Sequence, residues 1–561
     1  MTRSLLVVVS LFAGACGTDI AQTATRPAPG TPFDCSPAKA PVTLPTDPVL
    51  GGGDAITDSP LVGGAYGAGQ GPGVAVVARD GFRLYQNDEL VKESTASLVP
   101  VFVPLTFLPG DNVISVVVSS PERAPAVLVH IDELERPYVS DGSWKVSTNP
   151  GEGFTSPGFD DSSFSAPTDH GSAEDTAGCE PSSGFVPGSD AHWISAPDQS
   201  ARTAVFRLAF RVGPVGYGAG TTGGAGATPI VTSDRDEIAA ALFGQDPALV
   251  LIPEGNYDFS RTPAEVMMTD VCPTACADGT GLTIYTALPD GQTCADPTVP
   301  MPRHERHLAV TSNKTLVGLG RGAMLRGLWL QATAAENVIV RNVGMYDVNP
   351  AIVEGGDGFG VDASSRVWLD HMTFRWIGDG FIDVTTGTDI TLSWIHFDGR
   401  TETACGGHHP RANELGEGNS TIHHSFYDHV TGRAPLAQRT LSHVHAFNNL
   451  VSDNPDYAVG AACGAEVLLE GSYFENVLHP TSKRECSDDA SLGFILAPPG
   501  SNEYDPSSGP HLSGDANADE PHDGNVSRPM YEYELDGLAD VRLTVRTRAG
   551  TGSHWALPFS L

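Results

Sequence analysis

Seven apolar, strand-like pieces recur through the second half of this chain. They begin near Thr315, Val338, Val367, Ile390, Thr421, Val444 and Val467, at steps of 23, 29, 23, 31, 23 and 23 residues. A recurrent 23, stretched where a loop is inserted, is the mark of stacked coils. Connections this short leave no room for a helix at every crossover. The pattern therefore predicts an all-β chain whose main unit, over 230–500, is a right-handed parallel β-helix. The longer steps become loops on one side, where they build a cleft.

Upstream, short strand-like runs at 74–78, 82–85, 113–118, 127–131 and 204–212 alternate with Gly, Pro and Asp clusters. That spacing predicts a β-sandwich over 61–212. Its pieces Asp141-Gly142-Ser143-Trp144, 158–164, Trp193-Ile194 and Ala204-Val205-Phe206-Arg207 resemble galactose-binding-type jelly-roll domains. Such domains serve as sugar binders or as structural neighbours, and Trp144 and Trp193 read as core. Residues 213–229 are rich in glycine and read as a linker and domain boundary, so a chain starting near Pro229 is expected to fold alone. Asp234 and Glu237 then frame a short capped helix. The last stretch, 501–561, reads as an extension packing on the coil, with 531–535 returning as a strand.

The chain carries 68 acidic and 32 basic residues, a net charge of −36. That balance excludes nucleic acid, which needs a basic face. An anionic sugar polymer remains compatible if a metal or a local arginine cluster reverses the field. The start reads as an export signal: Arg3, an apolar run over 5–13, then Ala13-Gly14-Ala15-Cys16. The run is too short to span a bilayer. Ordinary cleavage after Ala15 and lipid attachment at Cys16 both fit, with 17–60 as a flexible tether. Either route places the protein outside the cytoplasm, secreted or on the outer surface. Of nine cysteines, setting Cys16 aside leaves eight, an even number that predicts disulfides.

The chemistry-bearing stretch runs from Arg366-Val367-Trp368-Leu369-Asp370-His371 through Asp379-Gly380-Phe381-Ile382-Asp383 to Arg433-Ala434-Pro435. Carboxylates that gather a hard cation beside an arginine suit chemistry on an acidic sugar. On a straight strand, residues four apart lie ~13 Å from each other. Joint coordination by Asp379 and Asp383 therefore needs a bend, which Gly380 permits.

The order of these motifs resembles the pectate lyases of polysaccharide lyase family 1, over about residues 230–490. The resemblance implies a Ca²⁺ site at Asp357, Asp379 and Asp383. Asp357 stands thirteen residues before Asp370, as a calcium aspartate of the family does. Gly355 stands where the family has a further aspartate. Arg433 matches the arginine that takes the C5 proton, although forming neutral arginine near pH ~8.5 costs ~5.5 kcal/mol. The second arginine of that motif falls at Arg439, one residue late. The usual substrate-binding lysine is replaced by Glu402, with Arg400 the nearest cation. His371, His408/His409 and His423/His424 read as packing groups rather than zinc ligands. The implied function is calcium-dependent β-elimination of polygalacturonate to 4,5-unsaturated oligogalacturonides by a monomeric enzyme. Two alternatives remain: a pectin lyase, which acts on the methyl ester without metal, and a non-catalytic pectin-binding surface protein.

Overall fold

The computed structural model describes residues 71–552, except 173–175, 177–178, 180, 182–184, 187, 289–292, 486–490, 513–515 and 519–520, together with Phe33, Val42, Leu44 and Leu61. The export segment, Cys16, Cys35, Cys486 and nearly all of the expected tether lie outside these residues.

Every recurrent piece is a strand: Lys314–Gly318, Glu336–Arg341, Ser364–Asp370, Ile382–Ser393, Asn413–His423, Ser442–Phe447 and Glu466–Glu470. They stack in one parallel ladder. Lys314 lies beside Val338, Val338 beside Val367, and Val367 beside Ile390. Ser420, Val444 and Val467 continue the same row. A second ladder runs through Val343–Val348, Thr373–Ile377, His396–Asp398 and Phe426–Asp428. A third joins Phe359–Asp362 to the first part of Ile382–Ser393, then to Asn413–His423 and Leu436–Gln438. The result is a parallel β-helix. Alternation drives it: Val338, Val340, Val367, Leu369, Ile390 and Leu392 point inward and are almost wholly buried.

Before the coil stand two antiparallel sheets. One orders Val101–Pro104, Gly73–Ala78, Ala126–Asp132, His192–Ser195 and Thr168–Ser172, with Pro137–Val139 on Ala126–Asp132. The other orders Glu89–Ser94, Gly81–Gln86, Gly110–Ser119, Thr203–Val212 and Lys145–Ser147. Trp144 and Trp193 are fully buried, as core residues. The short helix is Arg235–Phe243, with the Asp234 carboxylate accepting from the amides of Asp236 and Glu237.

The sandwich is joined to the coil through a buried charge. Arg341, on an outward face of the first ladder, lies 2.6 Å from Glu133 and 2.6 Å from Asp370, and donates to the carbonyl of Phe107 at 3.1 Å. Ile339 and Trp368 of the coil belong to the sandwich's apolar core. A buried guanidinium is tolerable only when its partners are in place.

The glycine-rich stretch 213–229 does not hang between the two units as a loose linker. Gly218, Gly223 and Gly224 donate their amides to Thr391 Oγ1, Asn337 Oδ1 and Thr315 Oγ1 at 2.9, 2.8 and 2.9 Å. A Cβ on Gly224 would stand 1.9 Å from the Ala248 carbonyl oxygen. These glycines serve close approach to the coil's outer face.

Nor is 531–535 a strand. Its polar groups meet side chains: Tyr531 Oη lies 2.8 Å from Thr421 Oγ1, Tyr533 Oη donates to Glu470 at 2.7 Å, and Asn448 donates to the Glu534 carbonyl at 3.3 Å. A helix that the sequence reading lacked, Leu538–Arg548, follows and buries Val541 and Val545 against Phe426 and Leu450. Disulfides link Cys272 to Cys294 and Cys276 to Cys405, and Cys179 and Cys463 are also disulfide-bonded.

A chain beginning at Pro229 leaves Arg341 without Glu133 and exposes Ile339 and Trp368. Losing one partner of a buried pair costs ~3 kcal/mol or more. The truncated chain should therefore melt well below the full one and show a red-shifted tryptophan emission. Equal melting temperatures would show that the coil needs nothing from the sandwich.

Candidate active site

The third ladder assembles the site. Asp357 immediately precedes its strand Phe359–Asp362, and Asp379 precedes Ile382–Ser393. Asp383 pairs in register with Gly360 on one coil and Glu414 on the next, and Glu414 with Leu436 beyond. Side chains in register on parallel strands stand one strand spacing apart, ~4.8 Å.

Backbone bonds hold the loops that carry the carboxylates. Gly380 donates its amide to Asp357 Oδ1 at 3.1 Å, and Asp379 donates to the Gly356 carbonyl at 3.1 Å. Gly380 is needed for room: a Cβ there would stand 2.5 Å from Asp383 Oδ1. The Glu414 amide donates to Asp383 Oδ1 at 3.0 Å. Arg433 closes the column, with Nη1 2.8 Å from Glu414 Oε2 and its carbonyl accepting from the Asn413 amide at 2.8 Å.

Burial pushes the Asp357 and Asp383 carboxyls well above the ordinary carboxylate value. For Asp357 the charges of Asp383 and Asp379 add to the effect, and for Asp383 those of Glu414 and Asp379. Asp379 is pushed up to about 6, by burial first and then by Glu354, with Arg411 and Arg433 opposing. Such crowding of carboxylates suits a set of hard-cation ligands. All the donors are oxygens, as Ca²⁺ prefers.

Among the described residues, a tighter set of ligand atoms, all within 4.8 Å, comes from Asp428, His429 and Asp453. There the charge is already met: Arg400 Nη2 lies 2.9 Å from Asp428, and His429 Nδ1 lies 2.6 Å from it.

Two sequence expectations change. Arg400 does not reach the carboxylate column. Its Nε lies 2.7 Å from Asp398 and its Nη2 faces Asp428, both at the end of the second ladder. The inserted loop carries the chain onward to Arg411, which pairs with Glu354 and stands 4.0 Å from Asp379. Arg411 is thus the cation beside the acidic group. Counting back from the strand Asn413–His423, rather than forward from Trp394, finds it. Arg439 is exposed, in a left-handed conformation (φ 91°) just past the strand Leu436–Gln438. Gln438 takes the face shared with Leu436, because alternate residues of a strand point the same way. Glu414 was also missed. Its signal is an acidic residue on a strand between the buried Asn413 and Leu415.

The histidines pack, as expected. His409 stacks on Phe381 at 3.9 Å, and His423 stacks on Phe447 at 4.9 Å. His371 is fully buried, with Nδ1 2.8 Å from Asp370.

Part of this chain has known counterparts. A family model described as pectate lyase matches residues 303–491. Pectin lyase D of Aspergillus niger is 32% identical over 299 residues, which is 50% of this chain and 79% of that one. Probable pectin lyase F-2 of Aspergillus terreus is 32% identical over 286 residues, covering 48% and 58%. A solved pectate lyase from Bacillus sp. N165, in complex with trigalacturonate, aligns with 61% of this chain and 99% of its own. There the identity is 20% and the TM-score 0.42. This chain belongs to the pectate lyase and pectin lyase family of polysaccharide lyases.

The carboxylate crowding fixes the sign of a pH effect. The Asp357 carboxyl has its folded value raised above 3.8, so its contribution to stability is complete below 3.8 and is lost as pH rises through the folded value. Asp357→Asn keeps an oxygen for the Gly380 amide and removes the charge. With chelator present, the variant should melt above the native protein at about pH 8, with the gap closing toward about pH 4. A variant no more stable at alkaline pH would contradict the crowding.

Proposed function

We propose that this protein is an extracytoplasmic, calcium-dependent pectate lyase that cleaves polygalacturonate by β-elimination. The observation that carries this reading is the crowding of Asp357, Asp379 and Asp383 at a column flanked by Arg433, which pairs with Glu414. A uronate chain brings further carboxylates to these three, so the site needs a cation for substrate to enter at all. Asp357, Asp379 and Asp383 would hold Ca²⁺. That ion, when bound, neutralises charge that develops on the uronate carboxylate as C5 loses its proton.

The remaining roles fall to the chain's own groups. Arg433, in its neutral form, takes the C5 proton, the C5–H electron pair forms the C4–C5 double bond, and the C4–O4 pair leaves on O4, which takes a proton from water. Glu414 fixes the guanidinium from one side, so that its approach to C5 is set before substrate arrives. Arg411, at the edge of the column, binds a neighbouring uronate through its planar fork. Arg439, past the end of its strand, is left with at most a peripheral contact to the chain. A buried set of crowded carboxylates and a positioned arginine weigh against a purely binding role.

A second reading, a pectin lyase acting on methyl-esterified chains, is favoured by the names of the curated relatives. Those enzymes use a neutral ester, and then nothing balances the crowded carboxylates. Chelation separates the two. Unsaturated product from polygalacturonate, followed by ultraviolet absorbance, should vanish in excess chelator and return with Ca²⁺. Undiminished cleavage of methylated pectin in chelator would establish the pectin lyase instead. No product from either polymer would establish the non-catalytic reading.

Protons compete with Ca²⁺ for the same oxygens. With Asp379 pushed up to about 6 by burial and the buried pair pushed higher still, Ca²⁺ affinity should rise steadily as pH increases above the ordinary carboxylate value of 3.8. Calorimetric titration at several pH values measures this, and a flat or falling profile would count against carboxylate ligation.

Glu414 offers a further test. Glu414→Ala frees Arg433, and a misplacement of ~1 Å costs ~100-fold in kcat, with KM little changed. Glu414→Gln keeps an acceptor while removing the charge that favours the arginine cation. Its activity should therefore recover in part. Normal kcat in Glu414→Ala would remove Glu414 from the mechanism.

A further inference from the structure

A second concavity, of about 1020 Å³, lies where the sandwich and the C-terminal segment meet the coil. None of the residues of the carboxylate column lines it. Its size stands at the upper end of small-molecule sites, which suits an oligomer.

The coil builds an aromatic wall there at some conformational cost. At the corner following the first ladder, Asn342, Asn448 and Gly471 take the left-handed conformation with φ 56°, 52° and 59°. Asparagine and glycine accept that conformation readily. In the coils between them, His371, Trp394 and His424 hold the same corner at φ 47°, 53° and 51°. Histidine accepts that conformation more readily than most residues, but a bulky indole such as that of Trp394 is disfavoured there, and neighbouring coils turn the corner without one. The three rings stack: His371 on Trp394 at 5.6 Å and 14°, Trp394 on His424 at 4.2 Å and 19°. Trp394 and His424 line the cavity, with Tyr138 and Tyr533 supplying further rings. Among the described residues the buried Trp394 indole N–H meets no acceptor.

The charged groups decide the ligand. Arg136, Arg211 and Arg548 stand among the lining, and so do Glu532, Glu534 and Asp536. Glu135, also in the wall, is pushed up to about 8 by burial and by Glu133 and Asp370, with Arg341 and Arg136 opposing. A uronate chain meets three carboxylates there, and a cationic peptide meets three guanidinium groups. A neutral polyol uses both kinds, its hydroxyls donating to carboxylates and accepting from arginines, while its flat C–H faces cover rings.

We propose that this cavity is a second carbohydrate site, for a neutral-sugar oligomer, formed jointly by the sandwich, the coil corner and the C-terminal segment. It would hold the enzyme on neutral glycan without competing with the acidic chain in the cleft.

Calorimetry and hydrogen exchange on the full chain test it, with β-1,4-galactotetraose, α-1,5-arabinotetraose, trigalacturonate in chelator and a tetralysine peptide as probes. At least one neutral probe should bind and slow exchange over 531–536. Trp394→Asn installs the residue that neighbouring coils use at this corner, and should weaken that binding by about tenfold or more. Cleavage of polygalacturonate should be unchanged in this variant. The exposed Glu532→Ala should weaken binding by several fold, and decides the matter if Trp394→Asn fails to fold. No binding of either neutral probe, unchanged binding in the folded variants, or preferential protection of 531–536 by trigalacturonate or the peptide would overturn the proposal.

Discussion

The parallel register is the constraint on which the rest depends. Val338, Val367, Ile390, Ser420, Val444 and Val467 stand one above another because each coil must bury the same inward face on its neighbours. A slip of one residue would turn every buried side chain outward. With the inward set fixed, the outward set is fixed too. Outward residues from successive coils then form columns at strand spacing, however far apart they lie in sequence. Asp383, Glu414 and Leu436 are such a column, and the loops feeding the same strands bring Asp357 and Arg433 to its sides.

That geometry concentrates like charge, and the column's ends show how the strain is confined. On the far side of Gly360 from Asp383 stands Gln331, whose amide leans over the glycine so closely that a Cβ would meet Oε1 at 2.0 Å. At the other end Leu436 is apolar and 5% exposed. The acidic groups are held between a neutral amide and a hydrocarbon, with Arg433 and Arg411 the nearest cations. A group arranged in this way gains little from its own fold and much from a hard cation. Stability given up at such a point is a common mark of a working site.

The coil was legible in the sequence because its signal is repeated seven times and each repeat is apolar on alternate residues. The aspartates were legible because they sit at fixed distances from the strand Ser364–Asp370, with no insertion between. The cation was not. Counting forward from Trp394 leads to Arg400, but the loop closed by Cys276–Cys405 moves the chain past it, and only the strand beyond restores the register. Arg439 lies away from the column for a related reason: one extra residue changes the face on which a side chain emerges. The stretch 213–229 was misread because glycine has two uses. Composition alone does not distinguish a flexible tether from a strip that must approach a backbone within contact distance. Leu538–Arg548 gave no clear periodic signal, since it buries little beyond Val541 and Val545.

The run Trp368-Leu369-Asp370-His371 drew attention as a marker of chemistry, yet its part here is mechanical. Leu369 points into the coil, while Trp368 joins the sandwich core. Asp370 sits between Arg341, His371 and Ser393, with Ser393 Oγ donating to it at 2.6 Å. Those partners hold its carboxyl far below the usual range, against burial that would raise it. Arg341 then carries the charge across to Glu133. The coil stacks mainly on apolar alternation, but the outer face of its first ladder is anchored by ions that lie in two units of the chain. The same anchoring brings the sandwich against the coil corner at Trp394 and His424, and so shapes the second concavity. Register sets the active column, and the buried arginine sets what stands next to it.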